Sequence, residues 1–140
     1  MTIDIKQMIR EARAAGKVAA DRKLNELVKA GPRWNVVNDP LFSDPTEKKD
    51  IVGQMLDLCG FANIRLVEMN SNSKTWQNLK KYAAVDGNRI MVHSSEYGKT
   101  LSIFDMSRRQ EVSVNKAACE GALEVLEEYG IRGYVDSRLD

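Results

Sequence analysis

A long helical pattern at the start of the chain constrains the fold most strongly. Between residues 4 and 29, apolar side chains share one face at a period of about 3.6: Ile5, Met8, Ile9, Ala12, Ala15 and Ala19. After Gly16 the apolar set rotates by about a quarter turn, which predicts either a kink at Gly16 or two helices that meet there. Gly31-Pro32 ends the segment.

Short strand patterns follow the helical segment. We predict strands at 34–37, through Ile64 and Leu66, at 89–93, at 99–105, at 110–114 and in the final "IRGYV". Apolar and polar residues alternate through Ile64 and Leu66, and tight turns at "SSEYGK" and "MSRRQ" set off the strands at 99–105 and 110–114.

Three further helices are predicted. The helix at 45–59 has Asp44 as N-cap and Pro45 at its first position. A short helix at 73–81 is capped by Ser73, although 74–82 also allows a strand that leads into a hairpin turn at 85–88. The last helix, 116–129, is capped by Asn115 and ended by Gly130.

These elements predict an α+β fold: an N-terminal helical segment, then a mostly antiparallel sheet of about four to five strands packed by two or three helices. The 140 residues suit a single domain, 1–140, with a helical arm or helix pair at 1–30 and an α+β core at 31–140.

Composition narrows the environment of the chain. It is 43% hydrophobic and 29% charged, with a net charge of +1, as in ordinary globular proteins. No apolar run approaches the ~20 residues of a membrane span, and the charged start "MTIDIKQMIREAR" does not suit a signal peptide. We therefore expect a cytoplasmic protein with no membrane partner.

Neither cysteine points to chemistry. Cys59 and Cys119 are 60 positions apart and do not form a disulfide or zinc pattern. Each falls in an apolar helical arc, which predicts core residues; the alternative for Cys59 is a reactive thiol at a chain reversal before Gly60. His93 is the only histidine. No phosphate-binding loop or nucleophile motif occurs, so we predict no catalytic residue, metal site or cofactor.

Basic residues near aromatic ones are the candidate binding sites. Arg33-Trp34, the pair Trp76 and Lys80, and the turn Arg108-Arg109 could hold phosphate and stack a base. A basic stripe on the first helix is the candidate nucleic-acid site: Lys6, Arg10, Arg13 and Lys17. The alternative for each cluster is an ordinary solvated surface.

A homodimer is expected from two features. The small side chains of Ala12, Ala15 and Ala19 allow helices to approach closely, and two-fold symmetry is the commonest outcome for soluble oligomers. The chain ends also carry opposite charge, with seven basic and four acidic residues in 1–30 against three and six in 115–140.

Several segments resemble small uncharacterised proteins of tailed bacteriophages and prophages. They are "MLDLCGFANIRL", the region near "TLSIFDM", the ending "VLEEYGIRGYVDSRLD" and the alanine-rich start "IREARAAGKVAADRKLNELVKAGP". The resemblance implies an accessory protein acting in an infected bacterial cell. The leading hypothesis is a non-enzymatic protein that binds a host protein or sequesters a nucleotide ligand. The alternatives are a nucleic-acid-binding protein and a small hydrolase or nuclease.

Overall fold

The computed structural model describes residues 2–32, 34–37 and 51–140, with 34–37 and 51–55 described through their backbone. Its elements follow in the order α1 (Ile5–Ala30), β1 (Trp34–Val37), β2 (Ile51–Met55), β3 (Gly60–Val67), α2 (Lys74–Ala83), β4 (Ile90–Ser95), β5 (Gly98–Ile103), α3 (Val112–Glu128) and β6 (Arg132–Leu139). The predicted α+β class is confirmed.

Four strands form an antiparallel sheet in the order β4-β5-β3-β6. From β3 to β6 the chain runs strand, helix, two strands, helix, strand, which is the split β-α-β arrangement. β1 and β2 pair only with each other, as a separate antiparallel ribbon.

The two faces of the sheet differ. Ile64, Leu101 and Val135 lie opposite one another on neighbouring strands and face the helices. The alternate residues face outward, among them Phe61, Arg65 and Tyr134. Because side chains alternate along a strand, the predicted alternation through Ile64 and Leu66 assigns the inner face correctly.

The first helix is continuous. Asp4 caps α1 by accepting a hydrogen bond from the backbone N–H of Gln7 (3.1 Å), and Gly31, with φ of 84°, ends it as predicted. The alternative of two helices that meet at Gly16 is wrong, because α1 runs unbroken from Ile5 to Ala30. Gly16 is buried against Met106 and the carbonyl of Ala118, so it serves close packing.

Helices α1 and α3 pack closely through small residues. A Cβ added at Gly121 of α3 would lie 2.7 Å from Cβ of Ala19 and 2.8 Å from the carbonyl oxygen of Ala15. The alanine face that suggested a dimer is therefore used against α3 within the chain. Since α1 buries residues in the same core as the sheet, it is an integral layer rather than a separate arm.

The predicted helix at 45–59 is wrong over its described part. Residues Ile51–Met55 form β2, and Gly60 begins β3 instead of ending a helix. Backbone hydrogen bonds to β1 stabilise β2 as a strand. The local amphipathic pattern predicts a helix because it does not include this partner. The proposed caps at 44 and 45 lie outside the described residues.

Helix α3 starts earlier than predicted. The predicted strand at 110–114 and the Asn115 cap are wrong, because α3 begins at Val112. Its first N–H groups donate to the Leu58 carbonyl (2.8 Å) and to a carboxylate oxygen of Asp57 (3.3 Å), while Glu111 makes no side-chain cap. A distant segment therefore supplies the cap, and the side-chain amide of Asn115 donates to the Gly60 carbonyl at 2.9 Å instead.

The short central helix is confirmed. Ser73 caps α2 by accepting from the backbone N–H of Trp76 at 3.2 Å. Residues Asp86–Asn88 form a single 3-10 turn between α2 and β4, so the alternative strand and hairpin at 74–88 are wrong. The predicted strands at 89–93, at 99–105 and in "IRGYV" match β4, β5 and β6 to within a few residues.

Candidate functional site

The sheet opens between its two central strands. β3 pairs with β5 only where Ile64, Arg65 and Leu66 face Leu101, Thr100 and Lys99. Before Ile64, β3 keeps its partner β6 but turns its other edge towards the start of α3, where the Gly60 N–H donates to the Gln110 carbonyl at 2.9 Å. The end of β5 stays paired with β4. The two strands therefore separate, and a space is left between them.

This space is a hollow of about 450 Å³. Its walls come from both strands, from the chain after β5 and from α3: Phe61, Ala62, Met91, Ser102, Ile103, Phe104, Asp105, Met106, Ser107, Asn115, Ala118 and Cys119. Its size and mixture of apolar walls with a few polar groups are typical of small-molecule sites. Phe61 is 55% exposed and Phe104 is 39% exposed.

The loop that borders the hollow, Phe104 to Arg109, is held by polar contacts at its start. Asp105 and Arg89 both have left-handed backbones, with φ of 67° and 55°, and the Arg89 Nε donates to Asp105 Oδ2 at 3.0 Å. This hydrogen bond lowers the pKa of Asp105. The Arg89 guanidinium also lies 5.5 Å from the centre of the Phe104 ring.

Arg13 of α1 braces the same loop. Its Nε donates to the Phe104 carbonyl at 3.0 Å, and its Nη2 donates to the carbonyls of Asn88 (2.8 Å) and Arg89 (2.9 Å). One guanidinium thus joins α1 to the turn before β4 and to the chain after β5. Its planar set of donors suits such a task.

A second depression lies on the other side of the loop. This cleft of about 320 Å³ is bounded by α1, the loop and the start of α3: Lys17, Ala20, Asp21, Leu24, Asp105, Met106, Ser107, Arg108, Arg109 and Val114. Asp105, Met106 and Ser107 line both the cleft and the hollow. The loop is therefore a shared wall between the mostly apolar hollow and a cleft whose lining carries three basic and two acidic side chains.

The cations of the cleft differ in their freedom. Arg109 forms a two-point ion pair with Glu111, through Nε at 3.0 Å and through Nη2. The hydrogen bonds from Arg109 lower the pKa of the nearly buried Glu111 carboxyl and raise the pKa of Arg109. Arg108 is exposed and makes no hydrogen bond or ion pair with the residues the structure describes. Arg108 is thus available to an anion, whereas the charge of the exposed Lys17 already acts on Asp105 and lowers the pKa of that carboxyl.

The structure separates the other predicted ligand residues. Arg33 and the side chain of Trp34 lie outside the described part of the chain. Trp76 is only 2% exposed, and Lys99 lies over its ring at 5.5 Å, so no face of that ring is open to a base. Lys80 is exposed on α2. Of the six predicted residues, Arg108 and Arg109 line the cleft.

The basic stripe of α1 is divided. Lys6, Arg10 and Lys17 are exposed, but the guanidinium of Arg13 is occupied by the three carbonyls that it braces. The stripe therefore offers three exposed cations rather than four.

The remaining candidate groups occupy ordinary positions. Cys119 is a core residue, as predicted, and burial raises the pKa of its thiol to about 12. Cys59 is half-buried in an isolated bridge with Glu111, so its expected place at a buried helix end is wrong. His93 is exposed on β4.

Phe61 and Phe104, two wall residues of the hollow, were not among the site residues predicted from the sequence. The alternation of β3 places Phe61 on the face opposite to Ile64 and Leu66, so an exposed aromatic ring was detectable in the pattern. Nothing local indicates that β3 and β5 separate beside it.

Comparison of the chain with protein-family models, with curated proteins and with solved structures finds no match. Among the described residues, no helix is both long and apolar enough to cross a membrane. In the same part of the chain, no group of three or more His, Cys, Asp or Glu side chains is arranged to hold a metal ion.

Proposed function

We propose that this protein is a non-enzymatic binding protein that sequesters a nucleotide at the loop 104–109. The observation that carries the proposal is the pairing of two depressions across this loop. The hollow offers aromatic and aliphatic walls of a size that suits a nucleobase, and the cleft offers the free cation Arg108, with Lys17 as a second basic residue beside it.

Stacking is the proposed role of Phe61 and Phe104. Aromatic side chains bind bases through their ring faces, and both rings are partly open to solvent at the hollow. Polar groups of the lining, Ser102 and Asn115, offer hydrogen bonds to the edge of a base. Asn115 already donates through its amide to Gly60, so its carbonyl oxygen is the group proposed to act here.

Phosphate binding is the proposed role of Arg108, with Lys17 as a second cation. Arginine matches the geometry of phosphate oxygens, and the Arg108 side chain has no competing partner among the described residues. Arg109 is a weaker candidate because Glu111 already holds its guanidinium.

The setting is proposed from the sequence resemblance. An accessory protein of a phage or prophage, acting in the cytoplasm of an infected bacterium, would counter a host defence by removing a nucleotide signal. We include a homodimer in this proposal. Direct binding of a host protein to the exposed Phe61, Met91 and Phe104 is the other outcome that the test must distinguish.

The test is calorimetric titration of the purified protein with a panel of nucleotides and their nucleosides. Because each stacked base contributes about 1–3 kcal/mol, Phe61→Ala should weaken nucleotide binding by roughly tenfold or more. Arg108→Ala should weaken binding of the nucleotide but leave binding of the nucleoside unchanged. Tyr97→Ala is the matched control, since Tyr97 is 81% exposed in the turn between β4 and β5 and lines neither depression.

Two results would reject the nucleotide proposal. One is the absence of binding across the panel, together with a stoichiometric host protein recovered with the chain from bacterial lysate. The other is nucleotide binding that Phe61→Ala and Arg108→Ala leave unaltered.

A second candidate is nucleic-acid binding through α1, favoured by the exposed row of Lys6, Arg10 and Lys17. Contacts to several phosphates make affinity fall steeply with salt. A steep salt dependence that is lost in a Lys6→Ala/Arg10→Ala variant would support this candidate over the first, because neither residue lines the hollow or the cleft.

A further inference from the structure

Among the described residues, no strand pairs with the outer edge of β6. β6 is an edge strand that pairs with β3 along all eight residues without a bulge. The Asp140 N–H donates to the Cys59 carbonyl at 3.2 Å, so alternate residues before it also direct their backbone groups towards β3. The N–H and C=O groups of Val135, Ser137 and Leu139 therefore point to the free edge.

This edge has little of the usual protection. Edge strands in natural proteins are commonly blocked by charged side chains, proline or a bulge, because free backbone groups act as a template for another strand. β6, with the sequence RGYVDSRL, has no proline, lysine or bulge, and its charged residues are of both signs: Arg132, Asp136 and Arg138. Leu139 lies on the same face of β6 as the core-facing Val135, yet it is 58% exposed near the end of the strand.

The segment 134–140 is complementary to itself when read in the opposite direction. In an antiparallel pair of copies centred on Ser137, each residue meets a suitable partner: Tyr134 meets Asp140, Val135 meets Leu139, Asp136 meets Arg138 and Ser137 meets Ser137. In a pair centred on Ser137, the backbone hydrogen bonds between the copies are made by Val135, Ser137 and Leu139. These are the residues whose backbone groups point to the free edge.

The charges of the monomer allow this register. Asp136 accepts a hydrogen bond from Arg65 through Oδ2 at 3.2 Å, and its second carboxylate oxygen can accept another donor. Arg138 is exposed and has no ion pair among the described residues, so it is available to the second copy.

Neighbouring registers are worse. Centring the pair on Val135 would place Arg132 against Arg138, and centring it on Asp136 would bring two aspartates together. A pair centred on Tyr134 would place Leu139 against Tyr129, which precedes β6, so fewer strand residues would pair.

We propose that two copies of this chain associate through antiparallel pairing of β6 centred on Ser137, which joins their sheets into one continuous sheet. About six backbone hydrogen bonds would form across the two-fold axis. The inference rests on the dimeric state included in the proposed function and does not depend on the ligand, because no residue of β6 lines the hollow or the cleft.

Charge reversal tests the pairing by light scattering at micromolar concentrations. Arg138→Asp places aspartate against Asp136 of the second copy and should raise the dissociation constant of the dimer by about tenfold or more. Asp136→Arg should act similarly, and an equimolar mixture of the two variants should form a heterodimer because opposite charges then meet. Arg132→Asp is the control and should dimerise like the wild type.

Cross-linking tests the register without changing a charge. In a Cys59→Ser background, a short bifunctional maleimide should cross-link Ser137→Cys into a dimer, since facing Cα atoms of a hydrogen-bonded pair lie about 5.5 Å apart. Tyr134→Cys should not cross-link, because its two copies would lie about 20 Å apart along the strands.

The outcomes separate this inference from the nucleotide proposal. A wild-type monomer, a dimer insensitive to Arg138→Asp, or cross-linking at 134 instead of 137 would overturn the pairing. Nucleotide affinity should be the same in Arg138→Asp as in the wild type, so loss of the dimer and loss of ligand binding are read independently.

Discussion

Substitution of Gly121 by alanine tests the close contact between α1 and α3. In an isolated helix this change would be favourable by about 1 kcal/mol, because alanine has the higher helix propensity. In this protein the new Cβ would lie 2.7 Å from Cβ of Ala19 and 2.8 Å from the carbonyl oxygen of Ala15, both well inside an ordinary contact distance. We expect the packing cost to exceed the propensity gain.

The magnitude follows from what must move. Overpacking of a core costs about 1–3 kcal/mol, and the upper end applies here because one obstacle is backbone. Restoring ordinary contacts requires the helices to separate by roughly 0.5–1 Å, which forfeits a quarter to a half of the dispersion energy of the facing atoms. After the propensity gain is subtracted, Gly121→Ala should destabilise the protein by about 2 kcal/mol, equivalent to roughly 6 °C in Tm.

Urea denaturation and calorimetric melting would measure this change. Gly87→Ala is the matched control, since a Cβ at Gly87 has no atom within 4 Å, and it should alter stability by no more than about 0.5–1 kcal/mol. Adding Ala19→Gly to Gly121→Ala removes one obstacle but leaves the Ala15 carbonyl, so the pair should show favourable coupling and incomplete recovery. A Gly121→Ala variant as stable as the wild type would refute the close approach.

Three further predictions concern polar and buried groups. Arg13→Ala should lower the free energy of unfolding by about 2 kcal/mol because three carbonyls lose a charged donor. In urea denaturation Arg13→Lys should restore little of this stability, because one ammonium cannot replace the planar guanidinium. Full restoration of the stability by Arg13→Lys would contradict this role of the guanidinium. The pKa of Glu111 is lowered by Arg109, so the stability due to this pair is present above pH ~5 and is lost as the pH falls through the lowered pKa. The stability advantage of the wild type over Glu111→Gln should therefore shrink between pH 7 and pH 3, and a constant difference would argue against the pair. Burial raises the pKa of Cys119 to about 12, so in Cys59→Ser protein iodoacetamide should label this thiol only on unfolding, as followed by mass spectrometry; rapid labelling of the native protein would disprove it.

Local features of the sequence determined much of the secondary structure. Ser73 caps α2 as expected, because a cap needs only a hydroxyl three residues before the N–H that it accepts. Gly31 and Gly130 end their helices with positive φ, which glycine adopts without strain. The alternation around Ile64 identified the inner face of the sheet, and these signals together were sufficient for the α+β class.

The site was much less predictable. Arg108 and Arg109 were identified from their position in a basic turn, and they do line the cleft. The hollow beside them was not anticipated, because it exists only where β3 and β5 part, and this depends on contacts between residues far apart in the chain. Arg13 likewise looked like one more cation of an exposed stripe until its carbonyl partners, 75 residues or more away, were known.

What the sequence by itself determined were features set within one or two turns of chain: the Ser73 cap, the glycine stops at Gly31 and Gly130, and the alternation of buried side chains around Ile64. What only the tertiary structure decided were the elements completed by distant groups. Residues 51–55 became a strand because β1 was there to pair with them, and α3 began at Val112 because Leu58 and Asp57 received its first N–H groups. The physical reason is that every buried N–H and C=O needs a partner, and where that partner lies far along the chain, local propensity no longer selects the structure.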